Sequence, residues 1–248
     1  AIYAKHILRL RELDPLAQNP DARLRGIVLH DVMEAVLEGL PNEPQAALAH
    51  VRDRTAAILA RKVPWPAARA LWQARLLRAA PWFIATEADR ASDRQRLFTE
   101  ISGEISLDTL PFTLRGKADR IDIAQSGAAR VYDYKTGSPP SPAQQRHFDK
   151  QLPLEAAMVE RGGFGDVGAM AVERAAYIGL GSTPKEADAP LDKDYWAEFE
   201  TLIAAMYDPD HGFTSRRAVE EDAAPGPYDL LARYGEWGPS DPARKERM

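Results

Sequence analysis

Three segments rich in β-branched and aromatic residues, Leu97–Asp108, Phe112–Ala124 and Ala129–Thr136, follow one another with only Asp-Thr-Leu-Pro and Gln-Ser-Gly turns between them. Connections that short join antiparallel neighbours, so the sequence predicts a β-meander. A Pro-rich break, Ser138-Pro139-Pro140-Ser141-Pro142, then leads into a predicted helix over about Ala143–Arg161 and a fourth strand at Ala169–Ile178. A strand reached through a crossover helix can pair in parallel with an inner strand. The expected result is a mixed sheet in an α/β fold.

The first third has a different texture. Between Arg23 and Gly39 the residues Ile27, Val28, Val32, Met33, Val36, Leu37 and Leu40 recur at helical spacing, and Gly39 with Pro41 ends the pattern. That predicts a helix with one buried stripe. Two further helices are expected at about Glu43–Ala60 and Pro64–Arg90, where Pro64 and Pro66 suit a first turn. Asp192–Tyr207 predicts a last long helix, and Asp208–Met248 reads as loop with a short helix at Tyr228–Tyr234.

A chain of 248 residues that is 45% hydrophobic suits one buried domain. The expected divisions are a helical region 1–95, a sheet core 96–180, and a C-terminal helix with irregular extension 181–248. The chain opens without methionine in what looks like mid-helix, and is expected to be excised from something longer.

Composition excludes several classes of function. With no cysteine, disulfides and thiolate-held zinc or iron–sulfur centres are ruled out for this segment, and a cytoplasmic setting fits best. No apolar run approaches the roughly 18 residues of a spanning helix, and the start does not look like a signal peptide. A formal net charge of −5 argues against coating nucleic acid through bulk positive charge. Local basic groups are Arg115, Lys117 and Arg120; Arg146, His147 and Lys150; and Arg216 with Arg217. Each is either solvated surface or a DNA contact. The absence of a Walker-type phosphate loop speaks against ATP hydrolysis.

The chemistry concentrates at Asp133-Tyr134-Lys135. Side chains alternate along a strand, so Asp133 and Lys135 share a face while Tyr132 and Tyr134 take the other. A surface Asp–Lys pair has the same spacing and little energetic value. Here, however, the pair sits in an apolar run that stops at Thr136-Gly137. Asp119 follows the small residues Gly116 and Ala118, which allow close approach; the rival Asp122 falls on the opposite face. His30 and Glu34 are one turn apart on the first helix. His30 is either a satisfied core group or, beside two strand carboxylates, a cation ligand that Glu34 orients. Gln151 follows on the next helix. Two carboxylates and a lysine converging in this way can hold a divalent cation against a phosphodiester and direct water at it.

The order of Arg25-Gly26-Ile27-Val28-Leu29-His30, Gly116-Lys117-Ala118-Asp119-Arg120-Ile121-Asp122, Asp133-Tyr134-Lys135-Thr136-Gly137 and Gln151-Leu152-Pro153-Leu154-Glu155-Ala156 resembles the RecB-type branch of the PD-(D/E)xK nucleases. More narrowly it is similar to the C-terminal nuclease domain of AddB, a subunit of bacterial AddAB helicase–nucleases. Tyr3-Ala4-Lys5-His6, Leu13-Asp14-Pro15-Leu16 and the stretch from Tyr228 to Trp237 share the likeness. The resemblance implies a restriction-endonuclease-like core, a mixed central sheet flanked by helices. It implies cation ligation by His30, Asp119, Asp133 and the Tyr134 carbonyl, water positioning by Lys135, and a helix motif completed by Gln151. An aromatic often stands in the family where Leu154-Glu155 stands here. Some AddB proteins carry an iron–sulfur cluster on four cysteines; none is expected in this chain.

Oxygen ligands with one imidazole favour Mg²⁺, with Mn²⁺ as substitute. The implied activity is that of a Mg²⁺-dependent deoxyribonuclease, an exonuclease on single-stranded DNA working beside an AddA-like helicase–nuclease subunit in double-strand-break repair and recombination. The alternatives are a catalytically inactive module of the same fold, kept for DNA binding or subunit docking, and an enzyme of small phosphorylated metabolites.

Overall fold

The computed structural model describes residues 3–11 and 20–208, together with 228, 229, 231, 236 and 241. Two compact units divide the chain, residues 19–198 and residues 1–18 with 199–248.

The larger unit begins with three helices, α1 (Ala22–Leu37), α2 (Pro44–Lys62) and α3 (Pro66–Ser92). Asp21 caps α1 by accepting the Leu24 amide at 2.6 Å, and Gly39 at φ +72° turns the chain out of it, a left-handed conformation that suits glycine just past a helix end. Glu43 caps α2 through the amides of Gln45 and Ala46, and Pro44 and Pro66 occupy first turns where no amide hydrogen is needed. The buried stripe of α1 is Val28, Leu29, Val32, Met33, Val36 and Leu37. Ile27, expected in that stripe, is exposed; it precedes Val28 on the turn and lies at the stripe's margin.

Strands β1 (Arg94–Ser106), β2 (Thr113–Ala124) and β3 (Ala129–Lys135) form the expected antiparallel meander. The predicted helix after the Pro-rich break is two helices, α4 (Pro142–His147) and α5 (Gln151–Glu160). Ser141 makes a reciprocal capping box with Gln144, and α4 ends before the exposed Phe148. Beyond them β4 (Val172–Gly179) pairs in parallel with β3, and β5 (Lys185–Asp188) adds an antiparallel edge that the sequence did not announce. The sheet order is β1-β2-β3-β4-β5.

Alternation along the inner strands assigns the two faces. Tyr132, Tyr134, Ala176 and Ile178 pack into the core formed with α1, α2 and α3. The opposite side meets α5, which contacts β1, β3 and β4 and buries Leu152, Ala156, Met158 and Val159. Each fully buried aliphatic side chain contributes roughly 1.5–3 kcal/mol by leaving water. Helix α6 (Tyr195–Tyr207) begins in this unit, with Tyr195 and Trp196 buried and Arg161 stacked over the Trp196 ring at 4.9 Å.

In the smaller unit a π-helical turn spans Tyr3–Ile7, and the Tyr228 hydroxyl donates to the Leu10 carbonyl at 2.8 Å. The short helix expected at Tyr228–Tyr234 lies largely outside the described residues. Among the described residues no helix is long and apolar enough to cross a membrane.

Candidate active site

Strand register creates the site. Arg120 pairs with Tyr132 between β2 and β3, so one step further along the same register Asp119 meets Asp133, and Asp133 is in turn paired with Tyr177 of β4. On the other side, Thr99 opposes Arg120 and Ile101 opposes Ala118, which puts Glu100 opposite Asp119. Three carboxylates therefore lie in one row across the sheet. Like charges opposite one another oppose folding, so the row needs compensation.

Part of that compensation comes from cationic side chains. His30 on α1 brings Nδ1 to 2.8 Å from Asp119 Oδ1 and 3.7 Å from Glu100 Oε1. Lys117 reaches Glu100 Oε2 at 2.5 Å, and Lys135 Nζ stands 2.9 Å from Asp133 Oδ2. The Tyr134 amide donates to Asp119 Oδ2 at 2.8 Å, so both Asp119 oxygens have partners. Glu100 reaches His30 from a backbone at φ +51°, a conformation uncommon outside glycine and one that frequently marks function.

The electrostatics follow from burial and neighbours. Hydrogen bonding to Asp119 and then to Glu100 raises the His30 imidazole to about 10, so without a cation the ring is protonated. The same contact with His30 holds the Glu100 carboxyl below its usual range. Desolvation, followed by the charge of Asp119, pushes Asp133 up to about 6. Burial alone would lower the Lys135 ammonium, but the Asp133 charge overrides it and the net shift is upward. Glu155 on α5 is pushed up to about 8, first by burial and also by Asp133 and Asp119, against the hydrogen bond from Gln151.

Two observations test whether these groups suit a divalent cation. His30, Glu100 and Asp119 offer ligand atoms that all lie within 4.8 Å of one another, one imidazole with two carboxylates, a donor set that hard divalent cations accept. Asp133 Oδ2 is buried against the Lys135 ammonium, 2.9 Å away, and Asp133 lies beside Asp119 in the carboxylate row. A cation would relieve the negative charge clustered there, which, added to burial, raises Asp133 through Asp119. The residues fit the group.

The sequence-derived candidates do not all reach the site. His30, Asp119, Asp133, Tyr134 and Lys135 come together on α1, β2 and β3. Gln151, exposed at the start of α5, donates Nε2–H to Glu155 Oε1 at 2.9 Å and so adjoins the cluster through that carboxylate. Glu34 is exposed, and Glu100 is the second carboxylate at His30 in its place. Arg146 is exposed, whereas Lys150 donates to the Arg146 carbonyl at 2.7 Å and lies 5.1 Å from the Tyr195 ring centre. Arg216 and Arg217 fall outside the described residues.

Arg120 is not a DNA contact. Its side chain has no exposure, and all five of its N–H groups are used: Nε and Nη2 donate to Asp122 at 2.7 and 2.6 Å, Nη1 and Nη2 to Glu87 at 2.6 and 3.0 Å, and Nη1 to the Tyr134 hydroxyl at 3.2 Å. Complete burial works against its charge, but Tyr134, Asp122 and Glu87 keep the guanidinium firmly protonated. The expectation took a basic residue beside a carboxylate for a surface group. Yet Arg120 and Asp122 share the face turned towards α3, and Glu87 of that helix supplies a second counter-charge.

Sequence reasoning missed Glu100 and Glu155. Glu100 carried no signal, because its role depends on a strand distortion. Glu155 did carry one: it is the lone carboxylate in the buried run Leu152–Val159.

A cleft of about 550 Å³ lies between α1, α2 and β1, lined in part by Glu34, Glu38, Arg54, Arg61 and Thr99. It includes none of the proposed ligands.

An uncharacterized protein of Rickettsia bellii is 29% identical over 169 residues, 65% of this chain and 20% of that protein. One from Rickettsia typhi is 27% identical over 173 residues, with the same coverage. The chain thus spans about a fifth of the length of the curated relatives it matches. Among solved structures, SSO0001 aligns at a TM-score of 0.31 and 16% identity over 74% of this chain and 87% of its own. VC1899 from Vibrio cholerae aligns at 0.29 and 12%, over 75% and 52%. A model of the PD-(D/E)XK nuclease superfamily matches residues 2–231. That match runs through the helical layer and through every strand bearing a carboxylate of the row, and on its extent the chain belongs to the PD-(D/E)XK nuclease superfamily.

Proposed function

We propose that this chain is a divalent-cation-dependent deoxyribonuclease, an exonuclease on single-stranded DNA, that works within an AddAB-type helicase–nuclease in the cytoplasm. One observation carries the chemical part of the reading. Asp119 and Asp133, both buried, are neighbours across β2 and β3, flanked by His30 and Lys135.

His30, Asp119, Asp133 and the Tyr134 carbonyl would hold the cation, with Glu100 beside them; Mg²⁺ suits the oxygen-rich donors and Mn²⁺ would substitute. When bound, the cation would polarise a phosphate oxygen and lower the pKa of water. Lys135, held by Asp133 and by the Tyr177 ring 5.4 Å away, points a fixed ammonium at the site, where it orients the attacking water and offsets charge developing on the phosphate. Asp119, fixed by His30 and by the Tyr134 amide, keeps β2 and β3 in the register that aligns the two carboxylates. Gln151 holds the start of α5 against the cluster through Glu155, and Arg146, Lys150, Arg216 and Arg217 supply the local positive charge for the strand.

The AddAB setting rests on the order of motifs along the chain. It is also supported by the length of the relatives, which extend far beyond the matched part, as a nuclease domain joined to other machinery would. An AddA-like subunit would deliver the strand, so the separate domain has low and salt-sensitive activity. The test is cleavage of end-labelled single-stranded DNA with Mg²⁺ by wild type and Lys135→Ala, at low and high salt. The reading expects cation-dependent cleavage by wild type that fades with salt, and none by the variant. Equal cleavage by both proteins would refute it.

A further inference from the structure

Glu155 is the strangest residue in the larger unit by ordinary packing standards. Its neighbours on α5, Leu152, Ala156 and Val159, are buried and apolar, and Glu155 itself is only 4% exposed. One carboxylate oxygen accepts the Gln151 amide. The other, Oε2, is buried without a hydrogen-bond partner. Among the described residues no lysine, arginine or histidine nitrogen pairs with it, and Lys135, the cation it feels, is already engaged by Asp133.

A leucine or methionine would satisfy that position at no electrostatic expense, so packing does not account for a carboxylate there. What the position does have is a place on α5 where that helix packs against β3, the strand of Asp133, and, beyond burial, the charges of Asp133 and Asp119 both raise the Glu155 carboxyl. Asp133 Oδ2 is buried as well, with the Lys135 ammonium 2.9 Å away. Glu155, with its unpartnered oxygen, and Asp133 thus belong to facing elements, α5 and β3, which pack directly on each other. His30, Glu100 and Asp119 form their own close group.

We propose that Glu155 joins Asp133 in holding a divalent cation, so that the cation-binding carboxylates extend from β3 onto α5. This rests on the reading of the site as a cation site and adds to it a residue outside the β2–β3 motif. Gln151 then acts as a positioning residue, keeping one Glu155 oxygen occupied and the other turned to the cation.

The experiment is calorimetric titration of Mn²⁺ into wild type, Glu155→Gln, Glu155→Met and Asp133→Asn, with melting curves of each in the presence and absence of Mn²⁺. The glutamine keeps the shape and the Gln151 contact; the methionine removes polarity altogether. Both Glu155 variants should bind Mn²⁺ about tenfold more weakly or worse, on the scale of losing a group that supports a metal site. They should also melt no lower than wild type without the ion and gain less from adding it. Unchanged Mn²⁺ affinity in both Glu155 variants, alongside loss of binding in Asp133→Asn, would overturn this inference and leave the function reading intact. Unchanged binding in Asp133→Asn as well would overturn both. Failure of both Glu155 variants to fold would make the residue structural and likewise overturn the inference.

Discussion

Replacing Arg120 with alanine distinguishes a core keystone from a surface DNA contact. The guanidinium is the shared counter-charge of Glu87 and Asp122, which are 3% and 2% exposed. Removing one member of a buried ion pair typically costs about 3–5 kcal/mol, because the partner stays buried and uncompensated. Two facts move the expectation within that range. Arg90 and Arg94 also contact Glu87, and Arg94 lies 3.5 Å from Asp122, so neither acid is wholly abandoned; but the Tyr134 hydroxyl also loses its donor. The expected loss is about 3 kcal/mol or more, a large share of the roughly 5–15 kcal/mol that holds a domain together. Lysine should not rescue it, since three rotatable donors cannot reproduce five fixed ones. The assay is urea unfolding at pH 7 for wild type, Arg120→Ala and Arg120→Lys. Arg120→Met combined with Glu87→Gln and Asp122→Asn should recover part of the loss, because no buried carboxylate is then stranded, and only part because Arg94 gives up both of its acidic partners. A loss below about 1 kcal/mol for Arg120→Ala, the scale of a surface ion pair, would refute the reasoning.

The cation-free protein should lose stability as pH rises. Glu155 goes from its usual 4.5 to about 8 and Asp133 from 3.8 to about 6. The folded state therefore holds protons that the unfolded chain has released, and stability falls between about pH 4 and 8. His30, raised from 6.5 to about 10, contributes stability that is complete below 6.5 and is lost as pH climbs to about 10. At about 1.4 kcal/mol per pH unit, Glu155 alone sets a ceiling of about 5 kcal/mol, reduced in practice by relaxation of the site. Urea midpoints across this pH range should decline for wild type and much less for Glu155→Gln between pH 5 and 8; parallel curves would exclude Glu155 as a source. Mn²⁺ affinity should rise over the same range, since binding releases protons, and a pH-independent affinity in calorimetry would contradict that. Gly179→Ala should weaken both stability and cleavage. A Cβ there would meet Pro139 Cδ at 2.5 Å and the Gly137 carbonyl at 2.7 Å, and Gly179 is the register partner of Lys135. A loss of about 1–3 kcal/mol is expected for such overpacking, and a variant with wild-type melting and activity would show that the loop yields freely.

Much of the fold was legible because local rules and tertiary structure agree in it. The meander followed from turn residues between β-rich runs, and the parallel β4 from the length of its connection. Asp133 and Lys135 were placed on one face by alternation alone, and Asp119 was chosen over Asp122 by the same parity. Parity also explains the failure at Arg120: it gave the face but not what covers that face, and only the packing of α3 brings Glu87 there. Glu100 was invisible because its approach to His30 comes from a left-handed backbone within β1, which no pattern of residue types encodes. β5 is too short and too polar to stand out from a loop, and Ile27 shows how an apolar residue at the margin of a stripe ends in solvent. The break between α4 and α5 had a partial signal in the apolar Phe148 amid Arg146, His147 and Lys150.

The central claim is that Asp119, Asp133 and Lys135 form a cation-dependent phosphodiesterase centre. Its most direct test is Mg²⁺-dependent cleavage of single-stranded DNA by Asp133→Asn, compared with wild type at matched folding by circular dichroism. The account predicts a folded variant, at least as stable as wild type without the ion because a buried like charge has gone, that cleaves nothing at any Mg²⁺ concentration. Mg²⁺-dependent cleavage by that variant at a rate near wild type would contradict it.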